Sequence, residues 1–158
     1  MLGSPLWRAN LFMHWFGYTR IPLLWYVGAR LVELSEGRTV VCIPLKRRTR
    51  NHLGSMYFGA LAIGADVTGA WIAFDRLRRG GPKLSIVFKD MQAEFLRRAD
   101  GHVHFVCEDG AAVNAALDRT LADRQRINVP VTVRAYVPTH SATDPVAVFR
   151  LTLSAKAV

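Results

Sequence analysis

One apolar stretch dominates the hydrophobic pattern, running from Asn51 to Phe74 between two regions of shorter periodicity. From Ser55 to Phe74, aromatics aside, the only polar side chains are Ser55, Asp66 and Thr68. A helix of this composition is apolar almost all round and must be buried, which predicts that the Asp66 carboxylate is buried with it. Gly59, Gly64 and Gly69 interrupt the stretch at a helix-propensity cost of roughly 1 kcal/mol each, as expected where another backbone comes very close. The stretch approaches the length of a bilayer span. Asp66 at its midpoint argues against that reading, because a charge at the centre of a span costs about 2.5 to 3.5 kcal/mol. The alternating pattern that follows is that of antiparallel strands.

On the N-terminal side, Ser4 and Pro5 form a cap followed by proline at the first helical position. They open a short helix over Leu6 to Phe16 that carries Trp7, Phe12, Trp15 and Phe16. With only Arg8 and His14 as a polar face, this helix is expected to pack on the sheet rather than lie on a membrane surface. Pro22 to Val27 predicts a second short helix. A hairpin follows, from Arg30 to Leu34 through Ser35-Glu36-Gly37 to Thr39 to Leu45.

Beyond the apolar stretch, Gly80-Gly81-Pro82 is a strong breaker. Leu84 to Leu96 then reads as a long strand whose apolar positions switch face near Lys89, from Leu84, Ile86 and Phe88 to Met91, Ala93 and Phe95. A bulge there accounts for the switch. His102 to Cys107 is another strand, and Asp109-Gly110 opens a helix with Val113, Leu117 and Leu121 at helical spacing. Ile127 to Val137 alternates most clearly of all, and Ala147 to Ala155 supplies a last strand. The order implies an α+β fold with a strongly curved antiparallel sheet wrapped around one long central helix.

A chain of 158 residues fits one domain spanning 1–158, with 1–29 as an N-terminal helical segment. Cys42 and Cys107 sit in apolar runs and read as small core residues of a reducing compartment. No secretory signal is visible at the N-terminus, so a cytoplasmic location without a transmembrane segment is expected.

The net charge of +9 points to an anionic partner: nucleic acid, anionic lipid or a phosphate-bearing molecule. The basic residues cluster at Lys46, Arg47, Arg48 and Arg50, immediately before the apolar stretch, and at Arg76, Arg78, Arg79 and Lys83 after it. His102 and His104 share one side of a strand but lack a third ligand, so no metal is expected. A Gly-x-Ser-x-Gly nucleophile motif is absent. Asp66 remains, a carboxylate whose apolar setting raises its pKa and suits it to act as base or nucleophile.

Asn51-x-x-Gly54-x-x-Tyr57-Phe58-Gly59 followed by Asp66 resembles the Asn-x-x-Gly-x-x-His-Gly-Gly and Asp signature of hotdog-fold acyl-CoA thioesterases of the phenylacetate-pathway type. More closely it is similar to their relatives with an Asn-x-x-Gly-x-x-Phe-Gly core. Tyr57 stands where the signature has histidine, and Phe58 where it has the first glycine.

The resemblance implies a hotdog fold, sites at a subunit interface, and Asn51 orienting water or substrate. The residues themselves offer a helix start near Ser55 to Gly59 whose free N–H groups suit a thioester oxyanion. Gly59 lies roughly 10 Å along the axis from Asp66 by helical rise, which pairs Asp66 of one subunit with the helix start of another and predicts a homodimer or a dimer of dimers. Catalysis is accordingly assigned to Asp66, Asn51, Gly59 and Tyr57. Substrate binding is assigned to Gly54, Ser55, Phe58, Arg47, Arg48 and Arg50, the arginines meeting coenzyme A phosphates or an acyl carrier protein. No cofactor is expected beyond coenzyme A as part of the substrate. The alternatives are an acyl-CoA-binding protein that does not hydrolyse, a dehydratase on the same fold with His52 as a weak substitute base, and a basic module for nucleic acid or anionic membrane.

Overall fold

The computed structural model describes residues 6–80 and 83–158. The Ser4-Pro5 cap and the Gly81-Pro82 part of the breaker lie outside them. Two helices, α1 (Leu6–Arg20) and α2 (Pro22–Val27), lead into a hairpin of β1 (Arg30–Leu34) and β2 (Thr39–Ile43). The apolar stretch becomes α3 (Phe58–Arg78). It is followed by β3 (Leu84–Phe95), β4 (Val103–Cys107), α4 (Gly110–Asp123), β5 (Ile127–Tyr136) and β6 (Ala147–Ala157).

The six strands form one sheet in the order β1-β2-β4-β5-β6-β3, every pair antiparallel. Alternation decides which face turns inward. Val129, Val131, Val133 and Ala135 of β5 are buried while Asn128, Pro130 and Arg134 are exposed. Phe105, Phe149, Leu151, Leu153, Val41 and Ile43 complete the concave surface, and α3 lies in it with Leu61, Ala65, Thr68 and Ile72 buried. By length and composition α3 would span a bilayer, but here it is the helix the sheet encloses.

The glycines of α3 serve a close approach by side chains rather than by backbone. A Cβ on Gly64 would stand 2.2 Å from the Phe105 ring, and one on Gly69 would press on Val131 at 3.2 Å and Phe88 at 3.3 Å. Flat and branched side chains of the sheet therefore sink into the helix surface, which brings the two layers nearer than two full-sized side chains would permit.

Lys89 is the bulge. Phe88 pairs with Leu153 and Asp90 with Thr152, leaving Lys89 unopposed. The expected second apolar face does not become buried, however: Met91 and Phe95 stay exposed, and β3 lies at the sheet edge with β6 on one side only. Cys42 and Cys107 are buried and unpaired. Burial pushes both thiols up, Cys107 to about 11, and the Arg30 guanidinium partly offsets the effect at Cys42.

The N-terminal helix runs a turn longer than Phe16, to Arg20. Ala9, Met13 and Gly17 form its buried stripe. Phe12 and Phe16 pack their rings at a tilt against Phe74 of α3, with ring centroids 5.7 and 4.6 Å away. Asn10 ties the helix to the edge strand, its Oδ1 accepting from Leu31 N–H at 2.7 Å and its Nδ2 donating to Leu31 C=O at 2.9 Å. Gly28 ends α2 in the left-handed conformation, φ 70°, that suits glycine.

Candidate active site

The loop between β2 and α3 sets where the helix begins. Thr49, in the middle of the basic run, anchors it: its hydroxyl donates to Pro44 C=O at 2.7 Å and accepts from Lys46 N–H at 2.8 Å, and its carbonyl accepts from Tyr57 N–H at 2.8 Å. Ala99 C=O accepts from Met56 N–H at 2.7 Å. Between these anchors Asn51 Oδ1 accepts from Leu53 N–H at 2.9 Å and Ser55 N–H at 3.2 Å, while Asn51 Nδ2 donates to Ser55 Oγ at 3.1 Å. Gly54 closes the turn at φ 82°, a conformation that favours glycine. Asn51, Gly54 and Ser55 thus form the brace behind the helix start, with Ser55 buried in it.

The start itself is open. Tyr57 is the capping residue in extended conformation and makes no side-chain capping bond. The first bond of the helix runs from Leu61 N–H to Tyr57 C=O, so the N–H groups of Phe58, Gly59 and Ala60 precede the ladder. Tyr57 and Phe58 flank them as an exposed pair with centroids 4.8 Å apart, and Phe58 reaches edge-on to Phe95 of β3 at 6.4 Å. The Tyr57 ring lies where a Cβ on Gly59 would be, 2.6 Å from it.

Asp66 is exposed, not buried, which corrects the expectation from the apolar stretch. The nearly buried carboxylate of α3 is Asp75, 7% exposed and held by Arg78 and Arg79 one turn further on. The reason lies in the sheet, which covers one side of α3 and leaves the stripe of Gly59, Ile63, Asp66, Ala70 and Phe74 on the other. Asp66 stands in the wall of an apolar cavity of about 410 Å3, beside Ile63, Val67, Phe74, Ile86 and Phe88. Solvent reaches the carboxyl from one side while apolar groups crowd the others, and that lost hydration raises its pKa. The sequence argument for a raised pKa therefore holds in direction, with partial rather than full burial as its cause.

Seven residues separate Asp66 from Gly59, nearly two whole turns, so the two share one face of the helix about 10 Å apart. Within one chain they do not meet. Arg47 and Arg50 are exposed, and Arg48 lies over the Tyr26 ring at 5.8 Å, tying the basic loop to α2. His102 Nδ1 accepts from Leu45 N–H at 3.0 Å, and His104 is pushed down chiefly by burial, then by Arg30 and His102. Among the described residues no three His, Cys, Asp or Glu side chains gather for a metal. Sequence reasoning missed Thr49, whose anchoring role has no local signal, and the cavity walls given by Ile86 and Phe88 of β3.

Residues 9–149 match the family described as Domain of unknown function (DUF4442). The chain belongs to this family. A search of curated proteins gives no match. Among solved structures it is similar to a Chlorobaculum tepidum protein of unknown function, with TM-score 0.81, 11% identity and 97% of each chain covered. It is also similar to a Shewanella oneidensis protein described as a candidate thioesterase, with TM-score 0.77, 14% identity, and 96% of this chain and 99% of that one covered. A Haemophilus influenzae thioesterase follows, with TM-score 0.69, 17% identity, and coverage of 99% and 93%. The fold is the hotdog fold of these thioesterases.

Proposed function

We propose that this DUF4442 protein is a thioesterase that hydrolyses acyl-CoA or acyl-carrier-protein thioesters as a homodimer. The observation that carries the reading is the pairing on α3 of an open helix start with a carboxylate of raised pKa in an apolar cavity large enough for an acyl chain. The two lie on one exposed face but too far apart to act together in one chain. A second copy set against that face with its α3 reversed would bring each Asp66 opposite the partner's helix start. The unpaired edge of β3 and the exposed Met91 and Phe95 are the surface for that contact.

In this arrangement Asp66, ionised, takes a proton from water as the oxygen attacks the thioester carbonyl. The oxyanion accepts hydrogen bonds from the N–H groups of Phe58, Gly59 and Ala60. Collapse breaks the C–S bond, and the proton held by Asp66 passes to the leaving thiolate, giving a carboxylic acid and a free thiol. Direct attack by Asp66 through an acyl anhydride gives the same products. Asn51, Gly54 and Ser55 hold the helix start in place. Tyr57 and Phe58 border the thioester, and Arg47, Arg48 and Arg50 meet the phosphates of the carrier. The alternative, an acyl-CoA-binding protein that does not hydrolyse, draws its support from the Tyr57 ring lying against Gly59, where the thioester oxygen would seek its donors.

The deciding experiment is hydrolysis across acyl-CoAs of graded chain length, with Asp66→Asn beside the parent. The thioesterase reading expects turnover to fall by about 100-fold or more in a variant that keeps its oligomeric state. Saturable coenzyme A binding without turnover in the parent would establish the non-hydrolysing protein instead.

A further inference from the structure

The helix α1 packs by one stripe, Ala9, Met13 and Gly17, and leaves the opposite one uncovered. Packing against the domain and contact with a membrane surface, set against each other in the sequence, therefore use different faces of it. Trp7, Leu11, Trp15 and Tyr18, spaced along one helical face, are 62, 64, 56 and 67% exposed. The Tyr18 ring meets Trp25 of α2 edge-on at 5.5 Å, which extends the patch to Leu23, Trp25 and Tyr26, all exposed. An apolar surface this continuous marks an interaction site.

Its composition selects the partner. Tryptophan and tyrosine favour the boundary between hydrocarbon and water, and leucine favours the hydrocarbon just below it. Residues 1–32 contain Arg8, Arg20 and Arg30 but no aspartate or glutamate. Two guanidinium groups rest on exposed rings of this face, Arg8 over Trp7 at 5.2 Å and Arg48 over Tyr26 at 5.8 Å, and Arg48 brings the rest of the basic loop with it. Aromatic rings carrying cations at their rims suit a layer of anionic headgroups over acyl chains. A second copy on the same face would set arginine against arginine with no carboxylate between them.

The same face reaches the cavity. Ile21 and Leu23 are exposed on the patch and also line the pocket that holds Asp66. We propose that the α1–α2 face docks on an anionic phospholipid bilayer and that the substrate is a long-chain acyl thioester taken from that bilayer past Ile21 and Leu23. The docking stands on the surface alone; the substrate class rests on the thioesterase reading.

The test uses the full chain with vesicles of phosphatidylcholine, alone and mixed with phosphatidylglycerol. The protein should co-sediment with the mixed vesicles, less so at high salt, and the emission of its exposed tryptophans should shift to the blue. The triple variant Trp7→Ser, Leu11→Ser, Trp15→Ser changes only exposed side chains and should keep the parent's far-ultraviolet dichroism. It should bind the mixed vesicles at least about tenfold more weakly, and Arg8→Glu should weaken binding in a salt-dependent way. Hydrolysis of a soluble short-chain acyl-CoA without vesicles should be equal in parent and triple variant, while hydrolysis of a long-chain thioester presented on mixed vesicles should drop in the variant alone.

A parent that stays in the supernatant overturns the docking. So does a triple variant that changes oligomeric state, which would assign the face to a second copy, or retention on DNA in place of vesicles. Vesicle binding that behaves as expected, with no thioester hydrolysed by either protein, would overturn the substrate assignment and the thioesterase reading while leaving the docking intact.

Discussion

Asp66 and Asp75 lie nine residues apart on one helix and meet opposite fates. Asp75 is buried and carries two guanidinium partners, whereas Asp66 faces the cavity with only apolar neighbours raising its pKa. A carboxylate kept without a partner in such a place costs stability once it ionises. An acid whose pKa is higher in the folded state favours folding most at pH below its unfolded value, and that contribution is lost as pH rises through the folded value. Asp66→Asn should therefore melt at a higher temperature than the parent near neutral pH. The difference should shrink as the pH falls toward about 4, the ordinary aspartate range. Thermal melts across that interval check this; a variant less stable at neutral pH would mean that the carboxylate is satisfied by a contact other than those described. A carboxylate that lowers stability where it stands is the pattern expected of a functional site.

At the scale of elements, β3 is the feature that a single chain leaves unexplained. It has 12 residues, and beyond Phe88 both of its faces are exposed. Edges of this length and apolarity are usually blunted or covered. Met91→Lys places a charge on it without touching Asp66 or the helix start. The expected result is a shift from dimer to monomer by sedimentation, with hydrolysis falling in step although the carboxylate and the N–H groups of Phe58, Gly59 and Ala60 are unchanged. A monomer with full turnover would defeat the cross-subunit arrangement.

The same element shows what could be read in advance and what could not. The bulge at Lys89 was legible because the apolar positions change phase there, and phase is a property of the local sequence. That Met91 and Phe95 remain uncovered was not, since alternation says that a face is apolar without saying who covers it. Helix α3 was legible as a core helix from its apolar run, but the same run suggested burial on every side. The open side of α3, and with it the exposure of Asp66, depends on the sheet wrapping only part way round. The Asn51 to Gly59 segment stood out through its resemblance to the thioesterase signature, and the structure shows it as the turn that leads into α3. The brace made by Thr49, Asn51 and Ser55 arises from loop geometry that spacing does not encode.

Across the whole molecule the unpaired basic residues are spread over many elements, and part of that surplus lies beside the helix start. Arg38, Arg76, Arg78, Arg79, Arg97 and Arg150 are each paired with a carboxylate. Arg8, Arg20, Lys46, Arg47 and Arg50 are exposed, and among the described residues no carboxylate pairs with them. The excess behind the net charge of +9 therefore includes α1 and the loop that leads to the helix start. A paired arginine has its charge cancelled at a distance by its carboxylate, while unpaired ones create a field that an approaching anion senses over roughly a Debye length of 8 to 10 Å. If that field recruits the carrier phosphates, KM for acyl-CoA should climb with ionic strength while kcat stays level, because attraction of the distant phosphates binds substrate and transition state alike. Replacing Arg47 and Arg50 together by glutamate should raise KM by about tenfold at low salt and flatten the salt response. Steady-state kinetics at two ionic strengths separate this from a merely solubilising role, under which both proteins would share one KM and one slope. A fall in kcat in the double variant would carry a different meaning, because it would place these arginines at the reacting end of the substrate rather than at its carrier.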